Sequence, residues 1–181
     1  MHTANDILKF WFVDHGREQW FGGGPDFDAL LTRTFAETHA AVAAGEAWSW
    51  RATPRGRLAE IIVLDQFSRQ IHRGTAKAFA QDPMALALAQ EVVYAGLDQQ
   101  FEPMPERMFL YLPFMHSESL VIHEETMRLY ATLNDEETMT YEIAHRDVLR
   151  RFGRYPRRNA ALGRSSTPEE EAYIASDEGQ W

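Results

Sequence analysis

The chain has 181 residues, of which 45% are hydrophobic and 25% charged; these values are typical of a globular protein and exclude disordered and fibrous classes. With 27 acidic and 18 basic residues its formal net charge is −9, so general attraction to nucleic acid or to an anionic membrane is not expected. The absence of cysteine, of a signal-peptide pattern and of an apolar run of about 18 residues predicts a cytoplasmic protein without disulfides or thiolate metal sites.

Helix signals recur along the whole chain, and alternation of period two is missing. Three helices are predicted to open with a capping residue followed by proline, because proline at the first helical position loses no hydrogen bond. These pairs are Thr53-Pro54, Asp82-Pro83 and Thr167-Pro168. A glycine-rich segment at residues 16 to 26 is predicted to be a loop. We count seven or eight helices joined by short connections, which predicts one all-α domain over residues 1–181, built from antiparallel helix hairpins.

The segment from Arg57 to His72 predicts a helix that other helices surround, because its apolar residues point nearly all round the axis. At the helical spacing, Asp65 and Arg69 fall on one stripe together with apolar residues. Burying both charges is unfavourable unless their hydrogen bonding is nearly complete. Two interpretations follow: a structural salt bridge, or a pocket wall where Arg69 holds an anion and Asp65 orients it.

Two histidines share one face of a helix predicted at about residues 115 to 133. His116 and His123 are both expected to face inward, while Glu118 points elsewhere. Their separation along the axis is about 10.5 Å, whereas helical zinc motifs place two histidines one turn apart. The sequence therefore predicts neither a metal site nor a cofactor.

The stretch HRDVLRRFGRYPRRN, residues 145 to 159, concentrates six arginines in an acidic chain. His145 falls on the apolar face of its helix, and the helix is predicted to end at Gly153. Tyr155 then runs extended because proline follows it. The guanidinium groups of Arg154 and Arg158 suit a carboxylate or a phosphate. The alternative is that these arginines cap the carbonyl groups of neighbouring helices.

Several ordered motifs resemble a bacterial family known as domain of unknown function 924. They are ILKFWF, TPRGRLAEIIVLDQFSR, RGTAKAFAQDPMALALA, RMFLYLPFMHSE and HRDVLRRFGRYPRRNAALGRSSTPEE. The resemblance runs from Ile7 to Tyr173. It implies an all-α superhelical fold of the tetratricopeptide-like class and no established activity. His72 and His123 depart from the family pattern, so the resemblance does not support a mechanism that requires either imidazole.

Two functions of different class fit these observations. The first is a binding module with an arginine- and histidine-lined pocket for an anionic small molecule or a peptide carboxylate. The candidate ligand-binding residues are Asp65, Arg69, His116, Glu118, His145, Arg154, Arg158 and Asn159. The second is a hydrolase or transferase with His116 or His145 as general base. A purely structural polar cluster is the third interpretation, and the sequence leaves homodimerisation open.

Overall fold

The computed structural model describes residues 1–179, and in this range the chain forms nine α-helices and no β-strand. The all-α fold is confirmed. The number of helices reaches nine because part of the predicted glycine-rich loop forms a short helix, α2. The helices are α1 (Ala4–Lys9), α2 (Arg17–Gly22), α3 (Gly24–Ala43), α4 (Pro54–Ile62, continued by Ser68–Ile71), α5 (Asp82–Tyr94), α6 (Met108–Met115), α7 (Leu120–Ala131), α8 (Glu136–Phe152) and α9 (Pro168–Ala175).

Helix α4 lies at the centre of the molecule. It packs against α1, α3, α5 and α6, and side chains on all its sides, such as Leu58, Ile61 and Leu64, are fully buried. The surrounded helix that the sequence predicts is thus confirmed. Between its two α-helical parts, Val63–Phe67 widens into a π-helical turn, a feature that is frequent at functional sites. Asp65 lies in the middle of this turn.

The predicted caps are confirmed at two of the three positions. The Thr53 hydroxyl accepts a hydrogen bond from the backbone N–H of Gly56, and Thr167 forms a capping box with Glu170. Asp82 does not cap its own helix. Its carboxylate turns instead to two arginine side chains, whose charge-assisted hydrogen bonds are stronger than a bond to a neutral backbone N–H.

Helices α6, α7 and α8 pack on one another in chain order. The predicted polar helix begins later than expected, since α7 starts at Leu120. His116 therefore lies directly after α6, and the prediction that His116 and His123 share one helix is wrong. The chain leaves the helical path because the Ser117 N–H bonds to the Phe114 carbonyl and Ser119 is extended.

Two apolar clusters hold the helices together. The larger one involves every helix from α1 to α7. The smaller one joins the end of α8, Tyr155 and α9 through Val148, Leu149 and Tyr173. No helix within residues 1–179 has the length and apolar character needed to cross a membrane.

Candidate functional site

Five charged or titratable side chains from four segments meet at one edge of α4. They are Asp65 and Arg69 of α4, Asp82 at the start of α5, His116 after α6, and Arg158 before α9; we call them the Asp65 cluster. Asp65 is only 1% exposed, whereas the side chains of Arg69, Asp82, His116 and Arg158 are 14–18% exposed. The cluster therefore reaches from the core to solvent.

Asp65 is the buried centre of the cluster. One carboxylate oxygen lies 2.7 Å from His116 Nδ1 and 3.0 Å from Arg69 Nη1, and the other accepts a hydrogen bond from the Gln66 side chain. Burial alone would raise the pKa of Asp65, but the charge of Arg69 and the hydrogen bonds from His116 and Gln66 hold it below the ordinary value of a carboxyl group. Asp65 is therefore ionised, and the predicted i, i+4 ion pair is present in the interior.

His116 is held as a neutral imidazole of defined orientation. Its pKa is lowered by burial and by the charge of Arg69, which together outweigh the effect of Asp65. Because a neutral imidazole carries one ring proton, Nδ1–H donates to Asp65 and Nε2 keeps its lone pair. Nε2 forms no hydrogen bond with any group in residues 1–179. This is the geometry of a general base or of an acceptor for a ligand's N–H or O–H.

Asp82 bridges the two arginines of the cluster. Arg69 grips it with two hydrogen bonds of 2.8 and 3.0 Å, and Arg158 Nη1 lies 3.3 Å from one of its oxygens. Both guanidinium groups also lie over the ring of Phe79, at 5.6 and 4.8 Å from its centroid. Two guanidinium charges face two carboxylates and a neutral imidazole, so the cluster carries no net charge.

Glu118 and Asn159 support the cluster from one side. Glu118 forms two hydrogen bonds of 2.7 and 2.9 Å with Arg164 and accepts a third from the backbone N–H of Tyr155. Asn159 accepts a hydrogen bond from Arg164 Nε and donates to Ser166. Both candidate residues thus hold neighbouring chain segments in place. Within residues 1–179 neither forms a hydrogen bond or ion pair with a side chain of the Asp65 cluster, although the charge of Arg158 helps to lower the pKa of Glu118.

His145 and Arg154 differ in their relation to the cluster. His145 is buried behind Tyr155, with the two ring centroids 5.7 Å apart, and burial lowers its pKa to about 3. Its Nδ1 lies 2.7 Å from the Tyr141 carbonyl. Arg154 points to α9, where it forms two hydrogen bonds with Glu170. The structure therefore brings His145 near the cluster and directs Arg154 away from it.

Three residues near the site escaped the sequence reasoning. The sequence pattern predicts Asp82 as a helix cap, Phe79 carries no polar group, and Tyr155 is marked only as the residue before a proline. The ring of Tyr155 lies under Arg158 at 4.6 Å. In residues 145 to 159 the arginines outnumber the nearby acids. Because a buried guanidinium needs a carboxylate or a ring as partner, this excess indicates that partners lie elsewhere in the chain.

Two surface cavities are lined by residues outside the Asp65 cluster. One of about 320 Å³ lies between α8 and α9 and is lined in part by Val148, Phe152 and Tyr173. Another, of about 260 Å³, lies beside Thr34 and Glu37. Within residues 1–179 no group of three histidine, cysteine or acidic side chains has the arrangement of a metal site.

Fold and site together define an all-α protein with a buried aspartate that holds a histidine and an arginine, and with a second aspartate that joins this arginine to another. The model of a family described as bacterial protein of unknown function (DUF924) matches residues 7–178. The chain belongs to this family. It is similar to the solved structure of protein of unknown function ATU0120 from Agrobacterium tumefaciens, with 37% identity, a TM-score of 0.88 and coverage of 95% of this chain and 96% of that one. Comparison with curated proteins finds no match.

Proposed function

We propose that the protein is a binding module and that the Asp65 cluster takes a small ligand bearing a carboxylate or phosphate group. The observation that carries the proposal is the position of the Asp82 carboxylate, between the guanidinium groups of Arg69 and Arg158. The chain thus already keeps one carboxylate where a ligand would bind. Planar guanidinium forks match the oxygens of carboxylates and phosphates.

The aromatic ring of Phe79 supports this interpretation. Arg69 and Arg158 both lie over this ring, 5.6 and 4.8 Å from its centroid, and both donate to the Asp82 carboxylate, so their N–H groups reach the same space. Two converging guanidinium groups hold an anion in a fixed orientation with little loss of side-chain freedom. His116 Nε2 would add an acceptor for a hydroxyl or amine of the same ligand.

The neutral balance of the cluster limits the affinity. Charge-assisted hydrogen bonds contribute about 1.5 to 3 kcal/mol each, but a ligand that displaces Asp82 exchanges one set of such bonds for another. The net gain is therefore small, and we expect dissociation constants between about 1 μM and 1 mM. Asp82 acts in this scheme as an internal competitor.

The proposal is tested with Asp82→Asn, which keeps the shape of the side chain and removes its charge. Small carboxylates, inorganic phosphate and phosphorylated metabolites are screened by thermal shift and titrated by calorimetry. We expect ligands of the wild type to bind Asp82→Asn about tenfold more tightly, which corresponds to about 1.4 kcal/mol.

The matched control is Asp28→Asn, because Asp28 forms a similar fork with Arg73, which is not part of the Asp65 cluster. Its affinity should equal that of the wild type. An Asp82→Asn variant that binds no better than Asp28→Asn would contradict the proposal.

A second function, general-base catalysis on an anionic substrate, is favoured by the Asp65–His116 pair. The buried carboxylate fixes the imidazole so that Nε2 presents its lone pair beside two guanidinium groups, which would stabilise developing negative charge. The same screen separates the two functions. A ligand that the wild type consumes and His116→Gln only binds would establish an enzyme, and a ligand recovered unchanged would favour the binding module.

A further inference from the structure

The carbonyl groups of three successive residues around His116 are each capped by a side chain from elsewhere. The Tyr155 hydroxyl donates to the Met115 carbonyl at 2.6 Å, and Arg158 Nη2 donates to the carbonyl of His116 itself at 2.9 Å. His123 Nε2 lies 3.0 Å from the Ser117 carbonyl. The last carbonyl groups of a helix have no partner in that helix, so side chains that reach them determine how the chain continues.

We propose that Tyr155 and His123 are positioning residues, which fix the backbone on both sides of His116 and so hold its imidazole with Nδ1 on Asp65 and Nε2 toward the ligand. Arg158 completes the set from within the Asp65 cluster. We call these three side chains the carbonyl clamp. Its part in ligand affinity rests on the proposed function, whereas its effect on the imidazole does not.

The state of His123 follows from its partners. The Ser117 carbonyl can only accept a hydrogen bond, so His123 Nε2 carries a proton. Nδ1 lies 2.7 Å from a Glu142 carboxyl oxygen, and both side chains are 0% exposed. One proton lies between these two atoms. Whether it belongs to the carboxyl or to the imidazole, Nε2–H remains a donor, so Glu142 keeps this part of the clamp in place.

Tyr155 is fixed at three points. Besides its hydroxyl, its backbone N–H donates to Glu118 at 2.8 Å and its carbonyl accepts from Arg164 at 3.0 Å. Met115 precedes His116 by one residue, and Glu118 follows it by two. Tyr155 therefore forms hydrogen bonds with the chain on both sides of the imidazole. The hydroxyl oxygen of Tyr155 also lies 3.1 Å from His123 Nε2, which joins the two positioning residues directly.

This arrangement explains the orientation of His116 better than the Asp65 contact alone. An imidazole can meet a carboxylate through either ring nitrogen after a rotation about its side-chain bonds. A fixed backbone from Met115 to Ser117 fixes the direction of the Cα–Cβ bond of His116. Only the side-chain rotamers compatible with that direction remain available. The clamp therefore selects the nitrogen that faces Asp65.

The test is ¹⁵N NMR of the histidine rings, which distinguishes a protonated ring nitrogen from one with a lone pair. In the wild type we expect His116 as the Nδ1–H tautomer. In Tyr155→Phe, which removes one hydroxyl and keeps the ring under Arg158, we expect a severalfold rise in the Nε2–H tautomer. The same variant should bind ligands of the wild type several times more weakly.

Tyr111→Phe is the matched control. It also removes a buried tyrosine hydroxyl with a 2.6 Å hydrogen bond, here to the Asp98 carboxylate, so it should lose at least as much thermal stability as Tyr155→Phe. Only Tyr155→Phe should alter the His116 signals. A His116 tautomer that is the same in both variants would overturn the proposal. An altered tautomer together with unchanged affinity would instead uphold the clamp and count against the proposed binding site.

A second pair of variants gives an independent answer should Tyr155→Phe fail to fold. His123→Gln keeps an N–H donor for the Ser117 carbonyl, and His123→Met removes it. We expect the wild-type tautomer of His116 in His123→Gln and a mixed one in His123→Met. Equal spectra in the two variants would exclude His123 as a positioning residue.

Discussion

Asp65 and His39 represent two ways in which this chain buries a titratable side chain. Asp65 stays charged because a cation and an imidazole lie against it. His39 stays neutral: burial, and then the nearby His72, lower its pKa to about 4, and its Nε2 lies 2.8 Å from the Ser68 hydroxyl. The charged Asp65 forms part of a polar site that reaches the surface, and the neutral His39 makes the fold less stable in acid.

His39 predicts how the stability of the fold depends on pH. Its pKa in the folded protein lies below the ordinary value of about 6.5, so the unfolded chain binds the proton more readily. This contribution to the free energy of unfolding is complete above about pH 6.5 and is lost as the pH falls toward about 4, by roughly 3 kcal/mol. Urea unfolding at a series of pH values measures it.

The variant His39→Gln can keep a hydrogen bond to Ser68 and cannot titrate. Its free energy of unfolding should therefore fall less steeply than that of the wild type between pH 6.5 and 4. His145, whose pKa is lowered to about 3, leaves a remaining slope in the same direction. Identical slopes for His39→Gln and the wild type would refute this account.

At the scale of elements, α4 is positioned by close contact between its first turn and the turn that precedes it. Gly56, three residues after the cap Thr53, lies so near the preceding turn that a Cβ there would be 2.0 Å from the Trp50 carbonyl oxygen. The sequence predicts the cap from the Thr-Pro pair, because capping depends on neighbours in the chain. It does not reveal the need for glycine, since that depends on how the turn Trp48–Ala52 folds onto the helix.

Two glycine substitutions test this close approach. Gly56→Ala should lower the free energy of unfolding by about 1 to 3 kcal/mol, because the clash is with backbone that cannot move freely. Gly22→Ala, at the end of α2, meets no atom within 4 Å and should be neutral or stabilise by up to about 1 kcal/mol. Chemical denaturation compares the two. Equal changes in the free energy of unfolding for the two variants would contradict the requirement for glycine at position 56.

At the scale of the whole molecule, α9 is attached at its end through Arg157, which donates to the carbonyl groups of Ile174 and Ser176, and at its beginning through Arg154, besides the smaller apolar cluster. The fork from Arg154 to Glu170 joins the segment before Tyr155 to the capping box of α9. A helix held by a small cluster opens locally at less free energy than the main core. The role of Arg154 is thus explained by docking, although the sequence placed it with the ligand-binding candidates.

Arg154→Gln should therefore release α9 without unfolding the rest. Hydrogen exchange in Pro168–Ala175 should become faster, while the exchange of α4 and the melting temperature change little. Arg151→Gln is the control from the same stretch: its contacts with Glu169 and Glu178 are exposed and stabilise little. Uniformly faster exchange across the molecule, or no change in α9, would contradict the prediction.

The sequence by itself determined the helical class, the surrounded character of α4 and the Asp65–Arg69 pair, because these depend on periodicity within one helix. Only the tertiary structure decided the pairs that join distant segments of the chain. Asp65 and His116 are 51 residues apart, and Asp82 and Arg158 are 76 apart. Within residues 145 to 159, three arginines follow the end of α8 at Gly153, and the packing of α5, α6 and the turn Pro156–Arg158 selects Arg158 for the cluster and leaves Arg154 to α9. Local sequence determines on which face of its own helix a side chain lies. Which distant residue it meets is determined by the packing of helices that are far apart in the sequence.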